Sequence, residues 1–353
     1  MKTEKKNQHF IPKFYLKHFS YCGNKKQIGI FNTRSRFFFS KSSLKHQGSK
    51  NFFYGYDGVI EDKLANIEGH LSTSIKKIIL DKKPPEKFGF EHFQLLNFVA
   101  LTHLRNPVSV QSVKDSREIV KKRFLELDPK LDIDNFIPST THEESIEVVL
   151  SNLMNVVDIT VDLDFKLLIN KTKIPFISSD FPIVKYNQFL ELKSWKRGKT
   201  GFGNTGLQIF IPLNPKLTIA FFDSRIYKIG NKKNSFKIVD NEEDVNQLNL
   251  LQFLNCYETV YFNGKCSEHY IRTLFERSGK FKKAHEPYVK LSHSSSNGKE
   301  IDFSKAKDII TILRTDCEIR LNIQGIKTHS NARKINMEKR ENILRPKALQ
   351  MMK

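Results

Sequence analysis

The sequence predicts an α+β protein: a mainly helical N-terminal layer packed on a central mixed or antiparallel sheet, with a basic C-terminal tail. Three observations carry this reading. Apolar residues recur at helical spacing between positions 59 and 157, the spacing then shortens to two residues, and aromatic side chains disappear after position 326. The chain divides accordingly into 1–158, 159–285 and 286–353, the first two expected to share one core.

The segment NQHFIPKFYLKHF, Asn7 to Phe19, comes first. Phe10, Phe14 and His18 repeat at i, i+4, i+8, and Ile11, Tyr15 and Phe19 form the neighbouring stripe, which predicts a short amphipathic helix over Ile11–Phe19. Pro12 suits its first turn, and His9 lies just before it, outside what packing requires. Gln27–Phe31 and Arg36–Ser40 read as strands joined by a turn at Asn32-Thr33. Val59–Ile79 places Ile60, Leu64, Ile67, Leu71, Ile75 and Ile78 on one helical face, and Pro84-Pro85 follow its end. Glu91–Asn106 is apolar almost all round, the pattern of a buried helix, and stops at Pro107. A polar amphipathic helix covers Val110–Leu127. Glu143–Val157 is a further helix, with Thr141 as N-cap and Glu144 three residues on.

Strands are expected at Ile159–Ile169, Pro175–Ser178, Leu207–Ile211, Leu217–Phe222 and Ile226–Lys228. Asn241 caps a helix that runs to Asn255, Tyr257–Phe262 is a strand, and Ser267–Phe281 a polar helix. The stretch Ile326–Lys353 has eight Lys/Arg against two acids and predicts a helical or disordered tail rather than core.

Charge narrows the function. The 353 residues contain 59 Lys and Arg against 38 Asp and Glu, a formal charge of +21. That excess favours a polyanionic partner, nucleic acid (RNA or DNA) ahead of an anionic membrane surface. Twelve Lys/Arg, Lys13 and Lys17 among them, fall in the first fifty residues beside a single acid, Glu4. A lysine-rich codon bias with no ligand at all is the competing account. The four cysteines lie far apart without a CxxC pair, which argues against a zinc ribbon or disulfide framework and fits a reducing cytoplasm. No apolar run approaches the roughly 18 residues of a membrane span, and the basic opening has no apolar segment after it to make a signal peptide.

The string Gly201-Phe-Gly203-Asn-Thr-Gly206 matches GxGxxG but leads into a strand, whereas a dinucleotide site needs a helix N-terminus there; it reads as a flexible connection. Asp180 with Glu191-Leu192-Lys193 imitates the PD-(D/E)xK arrangement of metal-dependent nucleases, and a solvated hairpin explains it as well. In IPFISSDFPIV a strand delivers Ser178, Ser179 and Asp180 at its end, where capping a turn and catalysis are equal alternatives. Pro212 and Pro215 bracket an architectural corner. Glu61 and Glu68 share a helix face, by default a solvated one. Arg105, leaving a buried helix, requires an anion: Asp180, Glu68 or a substrate phosphate.

Taken in order, QHFIPKFYLKHF, IEDKLANIEG, LTHLRNP, FISSDFPIV, IPLNP and the helix containing Asn249 resemble an uncharacterised bacterial family, domain of unknown function number 4238. The resemblance spans roughly Asn7 to Tyr261. It places His9, Pro12, Tyr15, Leu16, Phe19, Glu68, Arg105, Ser179, Asp180, Pro182, Pro212, Pro215 and Asn249 on recurrent family positions. Where the family it resembles has a small residue before the strand after Asn249, this chain has Asn255-Cys256-Tyr257. The resemblance implies no activity, and points to an accessory-genome protein of host defence or toxin type.

A scattered His, Glu, Arg, Ser/Asp and Asn set together with a basic surface leads to the expectation of a nucleic-acid-processing enzyme, a nuclease. His9 acts as general acid/base or metal ligand. Glu68 and Asp180 hold a divalent cation, Mg²⁺ or Mn²⁺, or orient His9, and Arg105 stabilises the scissile phosphate. Tyr15, Ser179, Asn249, Lys13 and Lys17 bind substrate, with the tail contributing backbone contacts. The alternatives are a non-catalytic nucleic-acid- or partner-binding module, in which the polar set is a buried hydrogen-bond network, and a regulatory domain that binds a phosphate-bearing small ligand.

Overall fold

A computed structural model describes residues 6–195, 198–281, 287–291, 310–314, 319–337 and 339–351. The N-terminal part runs β1 (Asn7–His9), α1 (Lys13–Leu16), β2 (Gln27–Asn32), β3 (Phe38–Ser43), β4 (Ser49–Asn51), α2 (Val59–Asp81), α3 (Phe90–Leu104), α4 (Pro107–Leu127), α5 (Ile133–Phe136), α6 (His142–Leu150) and α7 (Leu153–Thr160). It continues with β5 (Asp164–Asn170), β6 (Ser178–Ser179), β7 (Val184–Tyr186), α8 (Gln188–Leu192), β8 (Gln208–Asn214), β9 (Leu217–Phe222), β10 (Tyr227–Ile229), β11 (Phe236–Val239), α9 (Glu242–Asn255), β12 (Thr259–Phe262) and α10 (Glu268–Ser278). β13 (Pro287–Leu291), β14 (Ile310–Arg314), β15 (Ile326–Thr328), α11 (Ser330–Arg333), α12 (Arg340–Ile343) and α13 (Pro346–Met351) complete the order. The fold is α+β.

A mixed sheet, β11-β5-β9-β8-β7, forms its centre, parallel at β11–β5 and antiparallel elsewhere. The strands β8 and β9 are apolar without alternation because both their faces are covered. Ile209, Ile211, Ile219 and Phe221 pack with Leu71 and Ile75 of α2 and Leu95 and Phe98 of α3. Phe210, Ala220 and Phe222 belong to the opposite face, with Val245, Leu248 and Leu251 of α9. A second, antiparallel sheet, β3-β2-β12-β6, seats β12 between a strand from the N-terminal part and the short β6.

Local chemistry explains where boundaries depart from expectation. The N-terminus is tied down by β1 pairing with β4, so α1 begins at Lys13 with Pro12 at its N-cap instead of inside the first turn. Ile11, Tyr15 and Phe19 are the buried stripe, with Phe14 and His18 at its margin. In α2, Leu64, Leu71, Ile75 and Ile78 are buried while Ile67 faces solvent. Pro107 opens α4 as much as it ends α3, because Asn106 accepts from Val108 N and caps the new helix. The Thr141–Glu144 capping box is present. The single helix expected over Glu143–Val157 breaks at Ser151-Asn152, whose side chains both donate to Val148 O. Helix then resumes to Thr160, so the strand expected from Ile159 starts at Asp164.

The tail is more than a loose appendage. β15 pairs with β10, and Ile326, Ala332 and Met337 join the second face of the central sheet. Arg345 is fully buried, its guanidinium on Asp162 Oδ1 and Oδ2 at 3.1 Å each. Gly203 lies under it: a Cβ there would sit 2.8 Å from Ala348 Cβ, so the GxGxxG string serves close backbone approach by the tail. Among the described residues no helix is long and apolar enough to cross a membrane.

Candidate active site

The SSDFP segment begins as β6 at the edge of the second sheet, and its polar groups bond inward. Asp180 is buried, and its carboxylate accepts from three successive amides, Tyr257 N and Glu258 N at 2.7 Å and Thr259 N at 2.8 Å. This fastens the chain at the entry to β12. Ser179 donates to Gln252 Oε1 on α9 at 2.8 Å. Asn249, also on α9, accepts from Ile177 N and donates to Pro175 O and Tyr270 Oη. Tyr15 gives its hydroxyl proton to Pro212 O at 2.7 Å and takes one from Ser178 Oγ at 2.8 Å. All four side chains are buried, and each ties strands and helices distant in sequence. Buried polar groups have to be satisfied in this way, and here the satisfaction holds the two sheets to the helical layer. The substrate-binding roles expected of Tyr15, Ser179 and Asn249 therefore meet a packing role.

A different arrangement stands at the far end of α3. Arg105, the C-cap of that helix, is 0% exposed, and its Nη1 donates to Glu68 Oε1 of α2 at 2.7 Å. The solvated face expected for Glu68 is corrected: its side chain is 23% exposed, the open side of the pair. Arg105 Nε and Nη2 have no hydrogen-bond acceptor among the described residues, although the Tyr54 hydroxyl is beside the guanidinium. Burial opposes the Arg105 charge, but Tyr54 and Glu68 outweigh it and raise the pKa. Tyr54 in turn donates to His9 O at 3.2 Å.

His9 belongs to this patch. It is half-buried at the end of β1, opposite Ser49, and its Nε2 lies 3.2 Å from Lys45 O. That carbonyl requires Nε2 to carry the hydrogen and leaves Nδ1 as a base. Burial is the main cause that lowers the His9 pKa, with Lys13 and Arg105 acting the same way and Glu68 against them. The imidazole is thus neutral near pH 7. Gln8, pointing the other way from the strand, anchors β1 through Gly55 O and Tyr54 N.

Three of the four expected catalytic residues, His9, Glu68 and Arg105, therefore share one patch. Asp180 is linked to it only through the neighbour of Arg105, since Asn106 Nδ2 donates to Asp180 O. The metal role expected of Glu68 with Asp180 is corrected on two grounds: the guanidinium takes one carboxylate and three amides the other. Among the described residues no group of three or more His, Cys, Asp or Glu is placed to hold a metal ion. Lys13 and Lys17 are exposed on α1 and the turn after it. The PD-(D/E)xK likeness also dissolves. Glu191 is buried and accepts from Tyr186 Oη, Ile319 N and Arg320 N, while Lys193 donates to Arg333 O and Ile335 O, so both bind the tail rather than solvent or metal. Tyr54 and Asn106 were not singled out by sequence, and no spacing signal marks them.

These features define an α+β protein whose helical layer and two sheets carry one half-open His–Glu–Arg patch over a buried polar framework. The chain belongs to the family described as Protein of unknown function (DUF4238), which matches residues 7–265, the span from β1 to just past β12. No curated protein and no solved structure matches the chain.

Proposed function

We propose that the protein is a nucleic-acid-processing enzyme that hydrolyses phosphodiester bonds at the His9–Glu68–Arg105 patch. One observation carries the reading: a fully buried guanidinium keeps two nitrogens without acceptors next to a carboxylate that is 23% exposed, and both charges act electrostatically on the neutral His9 imidazole. Unsatisfied buried donors call for an explanation, and an anionic oxygen supplies one. His9 Nδ1 takes the proton from the attacking hydroxyl or water as the new P–O bond forms. The P–O bond to the leaving oxygen breaks, and that oxygen receives a proton in turn. Arg105 offsets the charge that grows on the phosphoryl oxygens, and Glu68 holds Arg105 in place. Lys13, Lys17 and the basic N-terminal segment bind the phosphate chain without sequence preference. The cytoplasm suits the free thiols of Cys22, Cys256 and Cys266, and a defence or toxin role fits an enzyme of this kind.

The test is to incubate the purified chain with RNA and DNA in the presence of Mg²⁺, Mn²⁺ or EDTA. Wild type should cut one of them, and His9→Ala should lose about 10²–10⁴-fold in rate with an unchanged melting temperature. Equal cutting by His9→Ala would end this assignment. A second reading, binding without catalysis, is favoured by the inward bonding of Tyr15, Ser179, Asp180 and Asn249. It predicts affinity that falls steeply with salt and no cleavage under any condition.

A further inference from the structure

The opposite end of α3, about 22 Å from Arg105 at ~1.5 Å per residue, borders a cleft of about 600 Å³. Its charged lining is one-sided: Lys87, Lys166, Lys228, Lys232 and Lys233 face a single carboxylate, Asp164. Lys87 pairs with that carboxylate. Lys166 is 9% exposed and donates to two main-chain carbonyls, Asn231 O and Asn234 O, so it shapes the rim loop without losing its charge to an acid. Asn231 Oδ1 accepts from Lys233 N and Asn234 N, Gly230 takes a positive φ of 57°, and Gly230 N donates to Gly325 O, all of which fix that loop. Lys228, Lys232 and Lys233 are exposed and have no carboxylate partner among the described residues. His329, from the turn after β15, also lines the cleft.

Cations held together by the fold repel one another, and an anion relieves that repulsion. The uncharged lining indicates what else the anion carries. Phe165 and Pro85 are partly exposed apolar side chains of the lining, and the Phe165 ring is held by stacking on the buried His92 at 4.8 Å between ring centroids. The volume is that of a small-ligand site, roughly 300–1,000 Å³, rather than of a groove for a long strand. We propose that this cleft binds a nucleotide, its phosphates on Lys228, Lys232 and Lys233 and its base against Phe165 and Pro85. The site shares no residue with the His9 patch and stands whether or not that patch cleaves anything.

Calorimetry and thermal shift on the full chain test it, with inorganic pyrophosphate, adenosine triphosphate and a short single-stranded oligonucleotide as probes. Wild type should bind the triphosphate, bind pyrophosphate more weakly, and gain melting temperature with each. Lys228→Glu/Lys232→Glu/Lys233→Glu should weaken triphosphate binding by about tenfold or more, while the unliganded melting temperature stays at the wild-type value because these side chains are exposed. His9→Ala should bind the triphosphate as wild type does. Triphosphate affinity untouched by the triple substitution, no triphosphate binding by wild type, or binding of the oligonucleotide alone would each overturn the assignment.

Discussion

Replacing Asp180 removes the acceptor for three amides at once, those of Tyr257, Glu258 and Thr259 at 2.7, 2.7 and 2.8 Å. A hydrogen bond to an ionised group contributes about 1.5–3 kcal/mol. Three consecutive amides on one carboxylate are not independent, and the part-buried loop regains some water when freed. The expected cost of Asp180→Ala is therefore about 4 kcal/mol, close to the whole stability of a marginal domain, ~5 kcal/mol. Asp180→Asn keeps one carbonyl oxygen, enough for Glu258 N and Thr259 N, but turns an NH₂ group toward Tyr257 N; it should cost about 2 kcal/mol. Urea unfolding followed by circular dichroism and by the fluorescence of the single tryptophan, Trp195, measures both. Faster hydrogen exchange at Val260–Phe262 would localise the damage to β12. An Asp180→Asn protein within about 0.5 kcal/mol of wild type would refute the clasp. An Asp180→Ala protein that keeps its stability yet loses phosphodiester cleavage would return this carboxylate to the catalytic set.

Two further outcomes follow from buried charges. Glu68→Ala leaves the Arg105 guanidinium buried without its carboxylate and should destabilise by about 3–5 kcal/mol, whereas Glu68→Ala combined with Arg105→Met should cost less than that single change; a double-mutant cycle in urea measures the difference, and a single-mutant cost under about 1 kcal/mol would show that the pair does not hold the site. His92 is fully buried, its Nδ1 accepts from Phe88 N at 3.0 Å, and burial, helped by Lys87, lowers its pKa from 6.5 to about 4. A folded-state value below the unfolded one means that the unfolded chain takes the proton first as pH falls. Stability is thus complete above pH 6.5 and is lost toward pH 4, by up to about 3 kcal/mol from this group. Urea midpoints between pH 7 and pH 4 should fall more steeply for wild type than for His92→Phe, and parallel profiles would contradict the assignment.

Helices were legible wherever periodicity and caps agreed. The Thr141–Glu144 box, the Asn241 cap and the apolar pattern of α3 each depend on residues close to one another along the chain, so the sequence alone sets them. β7, α8 and β11 were not legible, because their pairing depends on β8, β5 and the tail, which are distant in sequence. The tail misled for a related reason. Its apolar residues are few, and what buries Arg345 is the carboxylate of Asp162, 183 positions earlier. At the candidate site the residue types His9, Glu68 and Arg105 stood out because none of them is required by an apolar stripe. Asp180 stood out on the same grounds, yet a strand-end carboxylate that clasps amides and one that binds metal look alike until the three amides are seen.

The polar residues that stand out in the sequence serve two different ends. Tyr15, Ser179, Asp180 and Asn249 bind main-chain or neighbouring side-chain groups inside the fold, a role that needs no substrate. His9 differs, because its ring is half-exposed and its one bond leaves a basic nitrogen free within electrostatic reach of Glu68 and Arg105. All three residues of this patch lie within the span that matches the family, 7–265. The lysine cleft instead takes His329 from outside that span. Phosphodiester chemistry at His9 would accordingly be a property the family shares, and nucleotide binding at the cleft a property completed by the C-terminal extension. The two are separable by one comparison: a family member without an extension should retain the first and lose the second.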